Sequence, residues 1–182
     1  MRYLVLAAVA LLTASCVEIS YKEPQPKGKK SLVKVPKSLL GRYHLSENGV
    51  MLDDVIVIFE NGYRLEPKDS LEKVEEFILS DSLVLKQYKG YFFVNNRATY
   101  NWHMRVLKRK KNGELALLEM DNVPEDEESR KQFIDRLQAE IPVIQTELNG
   151  SKQYVIDPTP AKLIDLIRKG FFKEKMVLVK SN

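Results

Sequence analysis

Trp102-His103-Met104-Arg105-Val106-Leu107-Lys108-Arg109-Lys110-Lys111-Asn112-Gly113-Glu114-Leu115-Ala116-Leu117-Leu118 is the stretch that decides the fold. An apolar run ends in four basic residues, meets Asn-Gly, and resumes as a second apolar run. Asn-Gly is the strongest short hairpin signal, because both residues tolerate the positive φ of a type I′ turn. The same signal recurs at Asn61-Gly62 and Asn149-Gly150, with Lys89-Gly90 as a close variant. The spacing therefore predicts four hairpins: 54–60 with 63–66, 83–88 with 91–95, 101–110 with 114–120, and 143–148 with 151–156. Residues 40–45 and 175–180 read as the first and last strands. Adjacent hairpins imply mostly antiparallel pairing.

Two helices interrupt the strands. In 125–141 the apolar residues Phe133, Ile134, Leu137 and Ile141 recur at helical spacing behind an acidic first turn, which the helix dipole favours. The second helix opens on Thr159 as N-cap with Pro160 behind it. It carries Leu163, Ile164, Ile167 and Phe171 on one face and closes at Gly170. Each apolar face needs a partner, which a sheet supplies. Residues 71–79 fit either a helix opened by an Asp69–Glu72 capping box or a strand over 74–79, and the strand is favoured. The expected class is α+β: a mostly antiparallel meander or partly closed barrel of about nine to eleven strands, covered by two helices.

Composition narrows the functions. With 182 residues, 44% hydrophobic and 30% charged, the chain falls among ordinary globular proteins rather than disordered or fibrous ones. A single Cys, Cys16, excludes an internal disulfide and a Cys-rich metal site.

The N-terminal residues speak to location. Arg2 is followed by the ten-residue apolar run 3–12, too short to cross a bilayer but of the length found in secretory signal peptides. Leu12-Thr13-Ala14-Ser15-Cys16 follows, and it resembles the lipobox of bacterial lipoproteins. Thr13 stands where an aliphatic residue is commoner, and Thr13 and Ser15 also suit an ordinary signal peptidase. The resemblance implies removal of residues 1–15 and acylation of Cys16, which becomes the membrane anchor. Val17 in place of the Asp that retains some lipoproteins in the inner membrane points to the outer membrane. Residues 16–38, broken by Pro24, Pro26, Gly28 and Pro36 and rich in Lys, read as a flexible basic tether. Residues 39–182 are then expected to form one β-rich domain able to fold alone.

Candidate chemistry is sparse. His44 and His103 sit in expected strands, neither at metal-ligand spacing with another donor. No nucleophile elbow or phosphate-binding glycine loop occurs. Asp53-Asp54 lie side by side before a strand and point to opposite faces, which suits turn capping better than acid–base work. Catalytic, metal and cofactor sites are therefore all expected to be absent. Lys108, Arg109, Lys110 and Lys111 at a hairpin tip are a candidate contact for an anionic lipid or acidic envelope partner rather than nucleic acid. Tyr88, Tyr91, Phe92, Phe93, Tyr100 and Trp102 put apolar surface on both faces of one strand, as in a doubly covered strand or a barrel wall around a cavity. Gly41-Arg42-Tyr43 resembles the Gly-x-Trp entry of lipocalin-type barrels, with Tyr in place of Trp. The expected function is non-enzymatic binding or a structural role at the bacterial envelope. A small-ligand carrier with a lipocalin-like cavity is the alternative, and an envelope hydrolase is a more distant one.

Overall fold

Lys89 and Gly90 carry φ values of 51° and 83°, the left-handed pair that a two-residue turn requires. They join Leu83–Tyr88 to Tyr91–Arg97 in unbroken register from Leu83↔Asn96 to Tyr88↔Tyr91. The other three strand pairs form as well, but not by the same turn. Phe59 pairs with Gly62, which puts the turn on Glu60-Asn61 and Gly62 in the returning strand. Arg109 pairs with Leu115 across a five-residue loop, while residues 149–150 lie outside the described residues. The computed structural model describes residues 19–67, 74–120, 123–124, 126–148 and 151–181. Among them are twelve strands in one mixed sheet, one more than the upper expectation.

In chain order, β1 is Ile19–Tyr21, β2 Gly41–Glu47, β3 Val50–Phe59 and β4 Gly62–Glu66. Then come β5 Glu75–Ile78, β6 Leu83–Tyr88, β7 Tyr91–Arg97, β8 Trp102–Arg109 and β9 Leu115–Met120. The last three strands are β10 Val143–Leu148, β11 Ser151–Ile156 and β12 Phe172–Lys180. The helices are α1, Glu127–Gln138, and α2, Pro160–Arg168. Asp126 caps α1 by accepting from the Ser129 N–H, and Thr159 caps α2 by accepting from the Lys162 N–H. Residues 75–78 settle as strand, while 68–73, with the supposed capping box, lie outside the described residues.

Two expectations change. The sheet is not a plain meander: its order is β10-β11-β1-β8-β9-β12-β2-β3-β4-β5, with β6-β7 joined along the other edge of β8. Nor does the sheet close into a barrel along its hydrogen bonds. The tether is the larger correction. β1 lies between β11, which it pairs in parallel, and β8, and Tyr21 is 1% exposed. Beyond it, Gln25 and Asn95 are fully buried and clasp each other. The Gln25 N–H donates to Asn95 Oδ1 at 2.7 Å, and Asn95 Nδ2 donates to the Gln25 carbonyl at 2.8 Å. Buried Lys86 donates from Nζ to the carbonyls of Pro24 and Pro26. Desolvation holds the ammonium of this lysine below the usual lysine range. Leu32 then bonds the free edge of β6 through the Leu85 carbonyl, and Val35 bonds the Glu60 carbonyl. Residues 19–35 thus contribute a buried strand and satisfied backbone groups to the fold rather than a free spacer, so the packed chain includes residues from Ile19 onward instead of starting at Leu39.

The sheet has a core on each face. Phe133, Ile134 and Leu137 of α1 and Leu163, Ile164, Leu166 and Ile167 of α2 cover one face, over Tyr21, Phe93, Val106, Leu118 and Ile156. Tyr43, Leu45, Phe92, Leu107, Leu115 and Leu178 form the second core on the opposite face, with Val35 and Leu39. β12 serves both. Phe172 lies opposite Met120 on the helix side, whereas Met176 and Leu178 lie opposite Leu117 and Leu115 on the other. The register shift between Glu174 and Met176 makes the switch, since one extra residue reverses which face a strand's side chains meet.

The helices are also tied by charge. Glu140, just past α1, accepts from Lys162 and Lys169 of the α2 region, each at 2.6 Å, and Asp165 pairs with the same two lysines. Hydrogen bonds from Lys162, then Lys169, hold both carboxyls below their ordinary values. Carboxylates with depressed folded values lend stability above their unfolded values and lose it as pH falls through the folded ones. Melting temperature should thus hold from neutral pH to about 5 and decline below about 4. In Glu140→Gln the acid decline should be shallower, and a parallel decline in the two proteins would exclude this cluster as its source.

Candidate functional site

The second core is incompletely filled, and a cleft opens on that face of the sheet. Leu45 of β2, Ile56 of β3, and Tyr63 and Leu65 of β4 form one wall of a cleft. Val94 of β7, Leu107 of β8, Leu117 of β9, and Met176 and Leu178 of β12 form the other. Strand alternation puts these residues on one face: on β8, Arg105 and Leu107 face the cleft while Met104 and Val106 face the helices. Twist does the rest. The sheet coils until β4 and β7 confront each other without backbone pairing, leaving a half-open apolar volume of about 280 Å³.

One end of the cleft is plugged. Val35 and Leu39 pack against Ile58, Leu79, Leu83 and Leu85 around a residual void of about 40 Å³. A short 3-10 turn, Lys37–Leu39, delivers Leu39, and the Tyr43 hydroxyl fixes it by donating to the Leu39 carbonyl at 2.9 Å. The polar groups that reach the cleft are few. Arg105 and Glu119 stand on neighbouring strands, with Arg105 Nε donating to Glu119 Oε1 at 2.5 Å. The Tyr63 ring stacks on Phe77 at 4.8 Å between centroids. Burial pushes its hydroxyl up, an effect that hydrogen bonding with Asn96 and the nearby Arg105 charge oppose.

This arrangement favours apolar contact over chemistry. No family model matches the chain, and neither a curated protein nor a solved structure matches it. The site must be read from its own residues.

The other candidates scatter. His44 on β2 and His103 on β8 are separated by β12 and β9. Register separates them further: Leu45, next to His44, is level through Leu178 and Leu115 with Arg109, six residues along β8 from His103, so the two do not meet at one metal ion. Among the described residues, no group of three or more His, Cys, Asp or Glu side chains is placed to hold a metal. Asp53 and Asp54 lie inside β3 rather than before it, exposed, at the register shift between β2 and β3. In the basic run, Lys110 is taken up by Glu174 at 3.0 Å, with Glu114 at 4.0 Å, while Lys108, Arg109 and Lys111 are exposed at the β8–β9 tip. The aromatic group divides between the cores. Phe93 lies under the helices, Phe92 faces the second core, Tyr88, Tyr91 and Trp102 edge the helix side, and Tyr100 is 74% exposed. No helix among the described residues is long and apolar enough to cross a membrane. Cys16 and the signal-like run lie outside the described residues.

Sequence reading alone missed Val35, Leu65, Met176 and the Arg105–Glu119 pair. Alternation on β9 was a usable signal for Glu119, which follows Leu115 and Leu117 on an otherwise apolar face, whereas Arg105 shares its face of β8 with His103 and Arg109 and only its contact with Glu119 sets it apart.

Proposed function

We propose that the chain is a lipid-anchored protein of the bacterial cell envelope that binds a small apolar ligand and performs no chemistry on it. The observation that carries the binding is the cleft between β2–β4 and β7–β9. Its volume is close to the lower end of the range of about 300–1,000 Å³ usual for small-molecule sites, and its lining is apolar save for a few polar groups, as such sites are. A short aliphatic chain fits this chemistry, its polar end left at the half-open mouth near Arg105 and Glu119. The lipobox resemblance at Cys16 supports acylation there and placement on the outer membrane, where three acyl chains hold a protein far more firmly than one. Partners are then the membrane and the ligand, with the exposed basic residues of the β8–β9 tip available to an anionic envelope component.

Decanoate displacing an environment-sensitive fatty-acid probe tests the cleft. Saturable binding at one site is expected, and Leu65→Trp, which fills the cleft from the β4 wall, should weaken it at least tenfold without abolishing the melting transition. Absence of saturable binding, or affinity unchanged in Leu65→Trp, would remove the reading. The anchor has its own test. Cys16→Ser should abolish incorporation of a labelled fatty acid and leave an uncleaved precursor, and equal label on both proteins would rule the anchor out.

A further inference from the structure

We infer that the folded domain is held directly against the membrane surface by β1, with the end of the β10–β11 hairpin toward the lipid headgroups, rather than swinging on a leash. The inference rests on the anchor proposed at Cys16 and adds to it where the domain must sit. The chain is fixed from Ile19 onward: Ile19 is 9% exposed beside Tyr154 of β11, and Ser20 and Tyr21 are buried between β11 and β8. The Gln25–Asn95 clasp and the Lys86 ammonium on the Pro24 and Pro26 carbonyls lock the segment that follows. Three residues separate Cys16 from Ile19, a reach of at most about 11 Å. A leash running to Leu39 would reach about 80 Å.

Direction follows from the parallel pairing. β11 runs alongside β1, with Ile19 level with Tyr154, so the start of β11 at Ser151 extends back toward the anchored end. Ser151 lies three residues before Tyr154, and the hairpin end therefore extends about as far beyond Ile19 as Cys16 can reach. A lipid surface is the partner that this short attachment selects, because an anchored chain has no slack with which to turn another face toward it.

The sequence supplies its own probes, since it contains one Cys and one Trp. A chain beginning at Cys16 keeps every described residue and can be coupled through that thiol to a maleimide-headgroup lipid in phosphatidylcholine–phosphatidylglycerol vesicles. Trp102 pairs with Tyr21, five residues from Cys16, and so lies within about 25 Å of the anchor. Energy transfer from Trp102 to dansyl-headgroup lipid should be strong. A flexible 20-residue Gly-Ser insertion between Glu18 and Ile19 adds about 25 Å of root-mean-square slack and should cut transfer at least threefold, with near-ultraviolet circular dichroism unchanged. Equal transfer with and without the insertion would overturn the proposal, as would rapid hydrogen exchange at the Ser20 and Tyr21 amides of the coupled protein. Because the coupling is chemical, a failure of acylation in cells would refute the native anchor while leaving this readout intact.

Discussion

A chain beginning at Leu39 is expected to lose its cooperative melting transition. Removing residues 1–38 deletes β1 and leaves β11 without its partner on one side. Tyr21 and Ile19 vanish from the helix-side core, and truncations of buried aromatic and aliphatic side chains cost about 3–5 and 2–5 kcal/mol respectively. Val35 vanishes from the second core. Buried Lys86 loses the Pro24 and Pro26 carbonyls that hold its ammonium, and Asn95 Oδ1 loses the Gln25 N–H, at about 1–3 kcal/mol or more each, although Asn95 Nδ2 keeps the Val84 and Phe93 carbonyls. Losses on this scale match or exceed the roughly 5–15 kcal/mol that holds a domain folded. Differential scanning calorimetry of the chain from Cys16 and the chain from Leu39 decides it. A sharp transition in the shorter chain, at a melting temperature near that of the longer, would mean that β1 is dispensable.

The elements that were legible in the sequence share one property: their signal is local. Lys89-Gly90 places its turn through two residues that accept positive φ, and Gly113, at 91° after Asn112, does the same, whatever the rest of the chain does. Asn61-Gly62 marks its hairpin for another reason: Gly62 lies in β4 opposite Phe59, where a Cβ would clash with the Phe77 carbonyl oxygen of β5. Thr159-Pro160 likewise sets the start of α2. Asn48-Gly49, with φ of 51° and 81°, is the same signal at the β2–β3 turn and went unread because residues 46–53 are too polar to resemble a strand pair. β1 had no local signal to offer. Its three residues pair with Tyr154, Val155 and Ile156, more than 130 positions away, and nothing near Ile19 encodes that meeting. The prolines after it break any helix or strand period, which is the pattern of a spacer. Here, however, it is the carbonyls of Pro24 and Pro26 that bond, not the missing N–H groups.

The cleft was half legible for a related reason. Apolar residues on both faces of β7 implied a covered strand or a cavity wall, and both faces are indeed apolar surroundings for Phe92 and Phe93. Which alternative holds depends on how far the sheet coils before β4 meets β7. That coiling sums small twists over strands remote in sequence, a quantity that no single segment carries. The plug by Val35 and Leu39 depended in turn on the N-terminal segment being structured, so one misread stretch concealed both β1 and the closed end of the site.

The two cores predict separable failures, and α2 is the place to test this. Leu163 and Leu166 are fully buried and Ile164 and Ile167 nearly so, a broader stripe than the 3.6-residue pattern alone marks, since Leu166 lies beside it and still points inward. Leu166→Ala should cost about 2–5 kcal/mol, because the close-packed sheet beneath α2 collapses only partly into the space left. At about 2–4 °C per kcal/mol for a chain of this size, the melting temperature should fall by roughly 4–20 °C. Arg168→Ala, on the exposed side of the same helix, should stay within about 0.5 kcal/mol of the parent. Binding of the fatty-acid probe at a temperature where Leu166→Ala remains folded should be unchanged, because the cleft lies on the opposite face of the sheet from α2. Urea melts paired with probe titrations read both quantities. If Leu166→Ala weakened the probe as much as Leu65→Trp does, the two faces would not be independent, and the cleft would owe its shape to the helices as well as to the coil of the sheet.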